Sequence, residues 1–128
     1  MKTGLDLPPL SPNEIHEIKQ FIRFFDRIPK KNWCVGHFID EENNVRCAAG
    51  HLGVTVNHHT IRAVKLSKLL MPIYFLIKSM DQKTQLQLIN SIDAVIIIND
   101  DIDVLGKHPK TRIINALKLR LKANENNK

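Results

Sequence analysis

The sequence lacks the features that mark several large classes of protein. No apolar run approaches the roughly 20 residues of a membrane span, and no charged segment followed by an apolar one opens the chain as in a secretory signal. No internal repeat, low-complexity segment or complete catalytic or cofactor motif is present. These absences predict a cytoplasmic protein without a cofactor and without membrane contact, and they favour a non-enzymatic function.

Cysteine is scarce as well. The chain has only Cys34 and Cys47, which in principle can bridge a hairpin. A reducing compartment keeps such residues as thiols, so we expect free thiols rather than a disulfide. A chain of 128 residues buries about two thirds of its unfolded surface, and it therefore needs neither a disulfide nor a metal in order to fold.

What is present is the composition of an ordinary globular protein. Hydrophobic residues make up 43% of the chain and charged residues 25%, which indicates one folded domain. The proline-rich start and the polar end have little to bury. We therefore predict a flexible N-terminus over residues 1–10, a single domain over 11–123, and a flexible C-terminus over 124–128.

The spacing of apolar residues predicts a mainly α fold with about five helices. Ser11, Pro12 and Glu14 have the pattern of a capped helix start, and apolar residues then recur every three or four positions until Pro29 ends the helix. The segment 33–47 is rich in β-forming residues and contains turn residues. It predicts a small β-hairpin or loop that packs on the helices.

Further helices are predicted after this segment. A helical pattern starts at Thr60, and Pro72 interrupts it. Asp81 caps a further segment whose apolar positions keep helical spacing: Leu86, Ile89, Ile92 and Ile96. The β-branched run at 94–98 suits either a buried strand or the end of a buried helix, and a polar loop follows over 99–108.

The last predicted helix starts at Pro109, and the excess positive charge is partly concentrated in and around it. The net charge of the chain is +6, and basic residues cluster near its C-terminus: Lys107, Lys110, Arg112, Lys118, Arg120, Lys122 and Lys128. A solvated helix face is the interpretation we favour. The alternative is a surface for nucleic acid or an acidic partner, built from Lys110, Lys118, Arg120 and Lys122, with weak and nonspecific binding expected.

Four potential metal ligands lie close together in the sequence. Cys34 with His37, and Cys47 with His51, provide the number and the local spacing of ligands that a tetrahedral structural Zn²⁺ needs. The alternative is that two packed thiols and two imidazoles lie near one another by chance, since a domain of this length has no need of a metal. We favour the alternative and expect no stoichiometric zinc.

A second possible ion site is the acidic segment 99–103. Its Asn and Asp side chains suit calcium or magnesium, but an EF-hand loop that starts at Asn99 has Val104 at the glycine position, and one that starts at Asp101 has Leu105 at the fifth, ligand position. Asn and Asp directly after an apolar helix also bond free backbone groups. We expect that structural role here.

Cys47 is the better candidate nucleophile of the two cysteines. If it begins a helix, the helix dipole and the free N–H groups lower the pKa of its thiol. A cysteine hydrolase also needs a base and an orienting group, for which the chain offers His58, His59, His108, Asn99 and Asp100. A small buried cysteine packed between Ala48 and Gly50 is the alternative, and it is the interpretation we favour.

A set of residues spread over the chain resembles the signature of an uncharacterised family of small bacterial and phage proteins: Trp33, Gly36, Cys47, Ala48, Gly50, Asn99, Asp100 and Thr111. That family has a tryptophan and a glycine before a Cys-Ala-x-Gly motif, and an Asn-Asp pair before a last helix that opens with threonine. The resemblance implies no activity, because the family is functionally unassigned. It implies that Asn99 and Asp100 either share a site with Cys47 or cap the backbone around it, and we favour capping.

Taken together, the residues predict a non-enzymatic cytoplasmic interaction or accessory protein, encoded by a phage or mobile element, with a protein partner. The second hypothesis is a small cysteine-dependent hydrolase that uses Cys47. The third is a nucleic-acid-binding protein that uses the basic last helix.

Overall fold

The computed structural model describes residues 8–78, 83 and 92–126, which form five helices and a small two-stranded antiparallel sheet. The predicted mainly α fold with a small hairpin is confirmed. The helices are α1 (Pro12–Asp26), α2 (Ala48–His51), α3 (Ile61–Lys78), α4 (Asp93–Asp101) and α5 (Pro109–Asn126), and the strands are β1 (Ile39–Asp40) and β2 (Val45–Arg46). Among the described residues, no helix has the length and apolar character needed to cross a membrane.

Helix α1 begins as the sequence predicts. The Ser11 hydroxyl accepts a hydrogen bond from the Glu14 N–H at 3.1 Å, and the Glu14 carboxylate accepts one from the Ser11 N–H at 2.9 Å. This capping box satisfies two backbone donors that the helix leaves free. The helix ends at Asp26, three residues before Pro29. Its buried face consists of Ile18, Phe21 and Phe25.

Helix α3 contains Pro72 and continues without a break to Lys78, so the predicted interruption is wrong. A proline in a helix interior removes one backbone donor and costs about 3 kcal/mol. Burial of the side chains around it holds the helix together: Leu69, Leu70, Met71, Ile73 and Tyr74. At the start of the helix, the Thr60 hydroxyl accepts a hydrogen bond from the Ala63 N–H at 3.2 Å.

The chain between α3 and α4 contains three positions of the predicted helical pattern. Asp81, Leu86 and Ile89 lie outside the described residues. The run 94–98, for which strand and helix were both open, belongs to α4. This helix also includes Asn99, Asp100 and Asp101, so the predicted loop begins three residues later than its expected start at 99.

Helix α5 starts at Pro109, as predicted, and runs to Asn126, three residues beyond the expected domain boundary at 123. Near its end, the buried Asn124 side chain accepts a hydrogen bond from the Leu10 N–H at 2.8 Å. This bond ties the segment before α1 to the last helix.

The core lies between the longer helices. Helix α5 packs against α1, α3 and α4, and α3 also packs against α4 and α1. The largest buried apolar side chains come from all of these helices: Ile18, Phe25, Leu66, Leu70, Ile73, Val95, Ile98, Ile113 and Leu117. Each stabilises the fold by roughly 1.5–3 kcal/mol through removal of its apolar surface from water. The short α2 contacts α4 and α5 and brings the hairpin to the C-terminal end of α4.

Candidate functional site

Cys47 follows β2, between two extended segments of backbone. On one side, β1 pairs with β2 in an antiparallel register, and the Cys47 N–H donates to the Phe38 carbonyl at 3.3 Å. On the other side, Trp33 and Arg46 form a parallel bridge, and the Cys34 N–H donates to the Arg46 carbonyl at 3.0 Å. Cys47 is also the N-cap residue of α2. The cysteine therefore lies at the point where three backbone segments meet.

Gly50 allows α2 to pack directly on the hairpin. A Cβ atom at this position would lie 1.8 Å from the Phe38 carbonyl oxygen, far inside van der Waals contact. The glycine residue is therefore required by the close approach of two backbones. The same carbonyl accepts the hydrogen bond from Cys47, so Gly50 and Cys47 share one contact surface.

Asn99 connects this region to α4. Its side-chain oxygen accepts a hydrogen bond from the Ala48 N–H at 3.0 Å, which is one of the free donors at the start of α2. Its side-chain nitrogen donates to the Cys34 carbonyl at 3.0 Å and to the Asp100 carboxylate at 2.8 Å. The residue is fully buried, and these bonds satisfy the oxygen and the nitrogen of its amide.

Asp100 holds the segment after Cys34. One carboxylate oxygen accepts the bond from Asn99, and the other accepts one from the Gly36 N–H at 3.2 Å. Gly36 has a φ of 80°, in the left-handed region that glycine adopts without strain. Asn99 and Asp100 thus contact the backbone on both sides of Cys47, which is the arrangement of a cap.

Arg112 completes the network, and sequence reasoning missed it by grouping it with the solvated basic residues. Its Nε and Nη2 atoms donate to the Asn99 carbonyl at 3.0 and 2.6 Å, and Nη1 donates to the Gly106 carbonyl at 3.3 Å. The Asp103 carboxylate lies 3.8 Å from Nη1. The side chain is buried and caps the C-terminal end of α4. Arg112 lies among basic residues that are partly or fully exposed, and nothing in the sequence around it indicated that its side chain is buried.

A pocket of about 520 Å³ opens beside Cys47. Its apolar wall comes from Phe38, Ile39, Val56 and Ile96, and its polar lining comes from His37, Glu41, Thr55, Asn57 and Asp100. Gly36 and Cys47 complete the lining. The pocket therefore combines apolar surface with two acidic side chains in a protein of net positive charge. Sequence reasoning found Cys47 and Asp100 but not the apolar wall.

The pKa of the Cys47 thiol is raised, whereas a position at a helix start is expected to lower it. Burial raises its pKa, and the N–H groups of Gly50 and Ala49 lower it only in part. The residue is 4% exposed. The lowered pKa that we predicted for a Cys47 that begins a helix is therefore wrong. Because the thiolate is the reactive form, a raised pKa means that the four-residue α2 does not activate this thiol.

The four zinc candidates do not converge. The Cys34 thiol donates to the His37 carbonyl at 3.4 Å, and the His51 Nε2 atom lies 3.1 Å from the Asn32 carbonyl oxygen. Burial lowers the pKa of His51, whose ring also contacts that of Trp33 at 5.1 Å. Within the described ranges, no group of three or more His, Cys, Asp or Glu side chains has the arrangement of a metal site.

None of the candidate bases His58, His59 and His108 lines the pocket beside Cys47. His108 precedes α5 and accepts a hydrogen bond from the Lys110 N–H at 3.1 Å, and burial lowers its pKa. It does not line the pocket. The acidic segment 99–103 is divided, since Asn99 and Asp100 bond backbone groups while Asp103 faces Arg112.

The basic face of α5 is smaller than predicted. Arg120 is only 3% exposed, and its Nη2 atom donates to the Pro8 carbonyl, so its assignment to a nucleic-acid surface is wrong. The Lys110 Nζ atom donates to the Asp26 carbonyl at 2.8 Å. Lys118 and Lys122 are exposed. Three of the four proposed residues, Lys110, Lys118 and Lys122, remain partly or fully exposed, and weak nonspecific binding to nucleic acid stays a prediction.

The residues that resemble a family signature lie mostly in one place. Trp33 is buried, and its indole N–H donates to the Ile28 carbonyl at 3.3 Å. The signature residues near Cys47 belong to the contacts described above, whereas Thr111 lies beside Gly106. No family model, curated protein or solved structure matches this chain. Membership of the resembled family therefore stays a prediction.

Proposed function

We propose that the protein is a non-enzymatic binding protein whose pocket receives an apolar side chain of a protein partner. The observation that carries the proposal is the pocket of about 520 Å³, a volume typical of ligand sites. Val56 at its rim is 83% exposed, although it is apolar. A partner that covers Val56 gains the free energy of removing that surface from water.

The acidic lining indicates the chemistry of the partner. Glu41 and Asp100 line the same pocket as the apolar wall. An Arg or Lys next to the bound apolar side chain would place a positive charge near these carboxylates, whereas an acidic neighbour would be repelled. The proposed partner segment therefore contains a large apolar residue adjacent to a basic one.

Binding rather than catalysis is favoured by the roles of the polar groups. Both Asp100 oxygens accept hydrogen bonds from within the protein, and the Cys47 thiol is buried with a raised pKa. Groups fixed in this way support the backbone and are poorly placed to transfer protons. The apolar side chains of the pocket wall are not engaged in hydrogen bonds of this kind, so they are available for contact with a bound apolar group.

The setting that we propose for this activity is the bacterial cytoplasm, as an accessory protein of a phage or mobile element. The free thiols of Cys34 and Cys47 suit a reducing compartment. The resemblance of the motifs around Trp33, Cys47 and Asn99 to the phage and bacterial family supports the genomic setting.

A peptide titration tests the binding proposal. The probes are N-acetylated, C-amidated Leu-Arg and Leu-Glu dipeptides, followed by backbone amide shifts in NMR spectra of the full chain. We expect Leu-Arg to shift the amides of Gly36, Phe38 and Val56 saturably, and Leu-Glu to shift them less. Glu41→Gln should reduce the difference between the peptides. Shifts that avoid the pocket, or equal binding of both peptides to the wild type, would overturn the proposal.

A cysteine-dependent hydrolase is the second candidate, because Cys47, His37 and Asp100 all line one pocket. An alkylation rate separates the two functions. A binding protein should show slow labelling of Cys47 by iodoacetamide at neutral pH, since burial raises the pKa of the thiol. Rapid labelling confined to Cys47, and abolished by His37→Ala, would support the hydrolase instead. Cys34 in the same sample is the internal control.

A further inference from the structure

Cys34 and Cys47 occupy neighbouring positions on paired backbone segments. Each cysteine directly follows one residue of the parallel bridge between Trp33 and Arg46, and the Cys34 N–H donates to the Arg46 carbonyl at 3.0 Å. Paired strands lie about 5 Å apart, and residues at the same register face the same side. This separation falls within the roughly 4.4–6.8 Å between Cα atoms that a disulfide spans.

Two further contacts fix this juxtaposition. The Asn99 amide donates to the Cys34 carbonyl and accepts from the Ala48 N–H, each at 3.0 Å, so a single buried side chain holds both segments. The Cys34 thiol donates to the His37 carbonyl, and His37 lines the pocket together with Cys47. Cys47 therefore lines the pocket, and the Cys34 thiol is bonded to the backbone of another residue of its lining.

We propose that Cys34 and Cys47 form a reversible intramolecular disulfide by exchange with a low-molecular-weight disulfide. The inference does not depend on the proposed binding function, because it concerns the two thiols alone. Cys34 is half-buried and Cys47 is buried, so the external reagent reaches Cys34 first.

The exchange proceeds in two balanced steps. The Cys34 thiolate attacks one sulfur of the reagent, forms a mixed disulfide and releases one thiolate, which takes up the Cys34 proton. The Cys47 thiol then loses its proton, the resulting thiolate attacks the Cys34 sulfur and expels the second thiolate, and that leaving thiolate takes up the Cys47 proton. Two protein thiols are oxidised, and one small disulfide is reduced to two thiols.

The surroundings predict how this reaction responds to conditions. Burial raises the pKa of both thiols, so exchange should accelerate as the pH rises from neutral toward alkaline values. The second step needs no solvent access to Cys47, because it occurs between neighbours within the chain. The bond closes the loop between residues 34 and 47, so the oxidised protein should have a higher melting temperature than the reduced one.

Peptide mapping of the wild type gives a direct test. The full chain is incubated with oxidised glutathione at mildly alkaline pH, quenched with iodoacetamide and digested with trypsin. Arg46 separates the cysteines, so they fall in different tryptic peptides, 32–46 and 47–62. We expect these two peptides to be joined, with the intact chain lighter by two hydrogens, and dithiothreitol to reverse both changes.

Single variants resolve the order of the steps. Cys47→Ala should stop at a glutathione adduct on Cys34, and Cys34→Ala should remain unmodified while it is folded, as judged by circular dichroism. Three results would overturn the proposal. They are a stable glutathione adduct on the wild type, a disulfide between two chains, and retention of both thiols while free cysteine in the same solution is oxidised.

Discussion

The two sides of the Cys47 segment differ in whether their side chains bond to other parts of the protein. On the side of α4, Asn99, Asp100 and Arg112 form hydrogen bonds with backbone groups of several segments. On the side of the pocket, apolar side chains line an open cavity, and Val56 is largely exposed. The difference separates a part of the molecule that maintains the fold from a part that is free to contact another molecule.

Asn99→Ala should cause the largest effect, because it removes the centre of the bonded side. The Ala48 N–H and the Cys34 carbonyl lose their buried partner, and each unsatisfied group costs about 1–3 kcal/mol, so we expect the free energy of unfolding to fall by about 4 kcal/mol. Urea denaturation measures it. Asn115→Ala is the control, since it removes one bond from an exposed residue. Equal losses in the two variants would contradict the central role of Asn99.

Gly50→Ala should have the next largest effect. The new Cβ atom would overlap the Phe38 carbonyl, so α2 and the hairpin must separate, and overpacking of this kind costs about 3 kcal/mol. Gly36→Ala is a matched control that introduces strain at positive φ without a clash, with an expected cost of about 1–2 kcal/mol. A Gly50 variant as stable as the Gly36 variant would show that the close approach is unnecessary.

Acid should weaken the fold through two half-buried imidazoles. Burial lowers the pKa of His51 and His108 below the ordinary value of 6.5, so the unfolded chain binds more protons at these positions as the pH falls through that value. The contribution of these two groups to the melting temperature should therefore be fully maintained above about pH 6.5 and decrease below it. His51→Gln should reduce the slope of melting temperature against pH. An unchanged slope would exclude His51 as a contributor.

Val56→Ser should have the smallest effect on stability and a selective effect on binding. The side chain is exposed, so the free energy of unfolding should change by no more than about 0.5 kcal/mol. Binding of the Leu-Arg peptide should weaken, because part of the apolar rim is lost. Val104→Ser is the control, since Val104 is exposed at 78% and lies outside the pocket lining. Equal peptide binding by the two variants would contradict the assigned pocket.

Local signals were sufficient to predict much of the fold. Ser11 and Glu14 form a capping box that depends only on residues three apart, and it is present as predicted. Pro72 misled, because the local cost of a proline is outweighed by burial of the residues around it, which a single sequence does not display. Asn99 looked like a loop residue because asparagine favours turns, yet its bonds to Ala48 and Cys34 stabilise it at a buried helical position.

The candidate site was less predictable for the same physical reason. Cys47 and Asp100 drew attention through their chemistry, but Phe38, Val56 and Ile96 are ordinary apolar residues until the fold brings them to one cavity. Burial likewise divides Arg112 and Arg120 from the exposed lysines of α5, although all of them looked alike as a basic cluster.

The long-range bonds of Asn99 also determine when the site assembles. Asn99 is 51 positions from Ala48 and 65 positions from Cys34 along the chain. Closing such long loops costs entropy before any bond is gained, so these contacts form after the local turns of the helices. Interactions that form after the rate-limiting step affect the unfolding rate much more than the refolding rate. We therefore expect the pocket to assemble late in folding, and variants of Asn99 to change the unfolding rate more than the refolding rate.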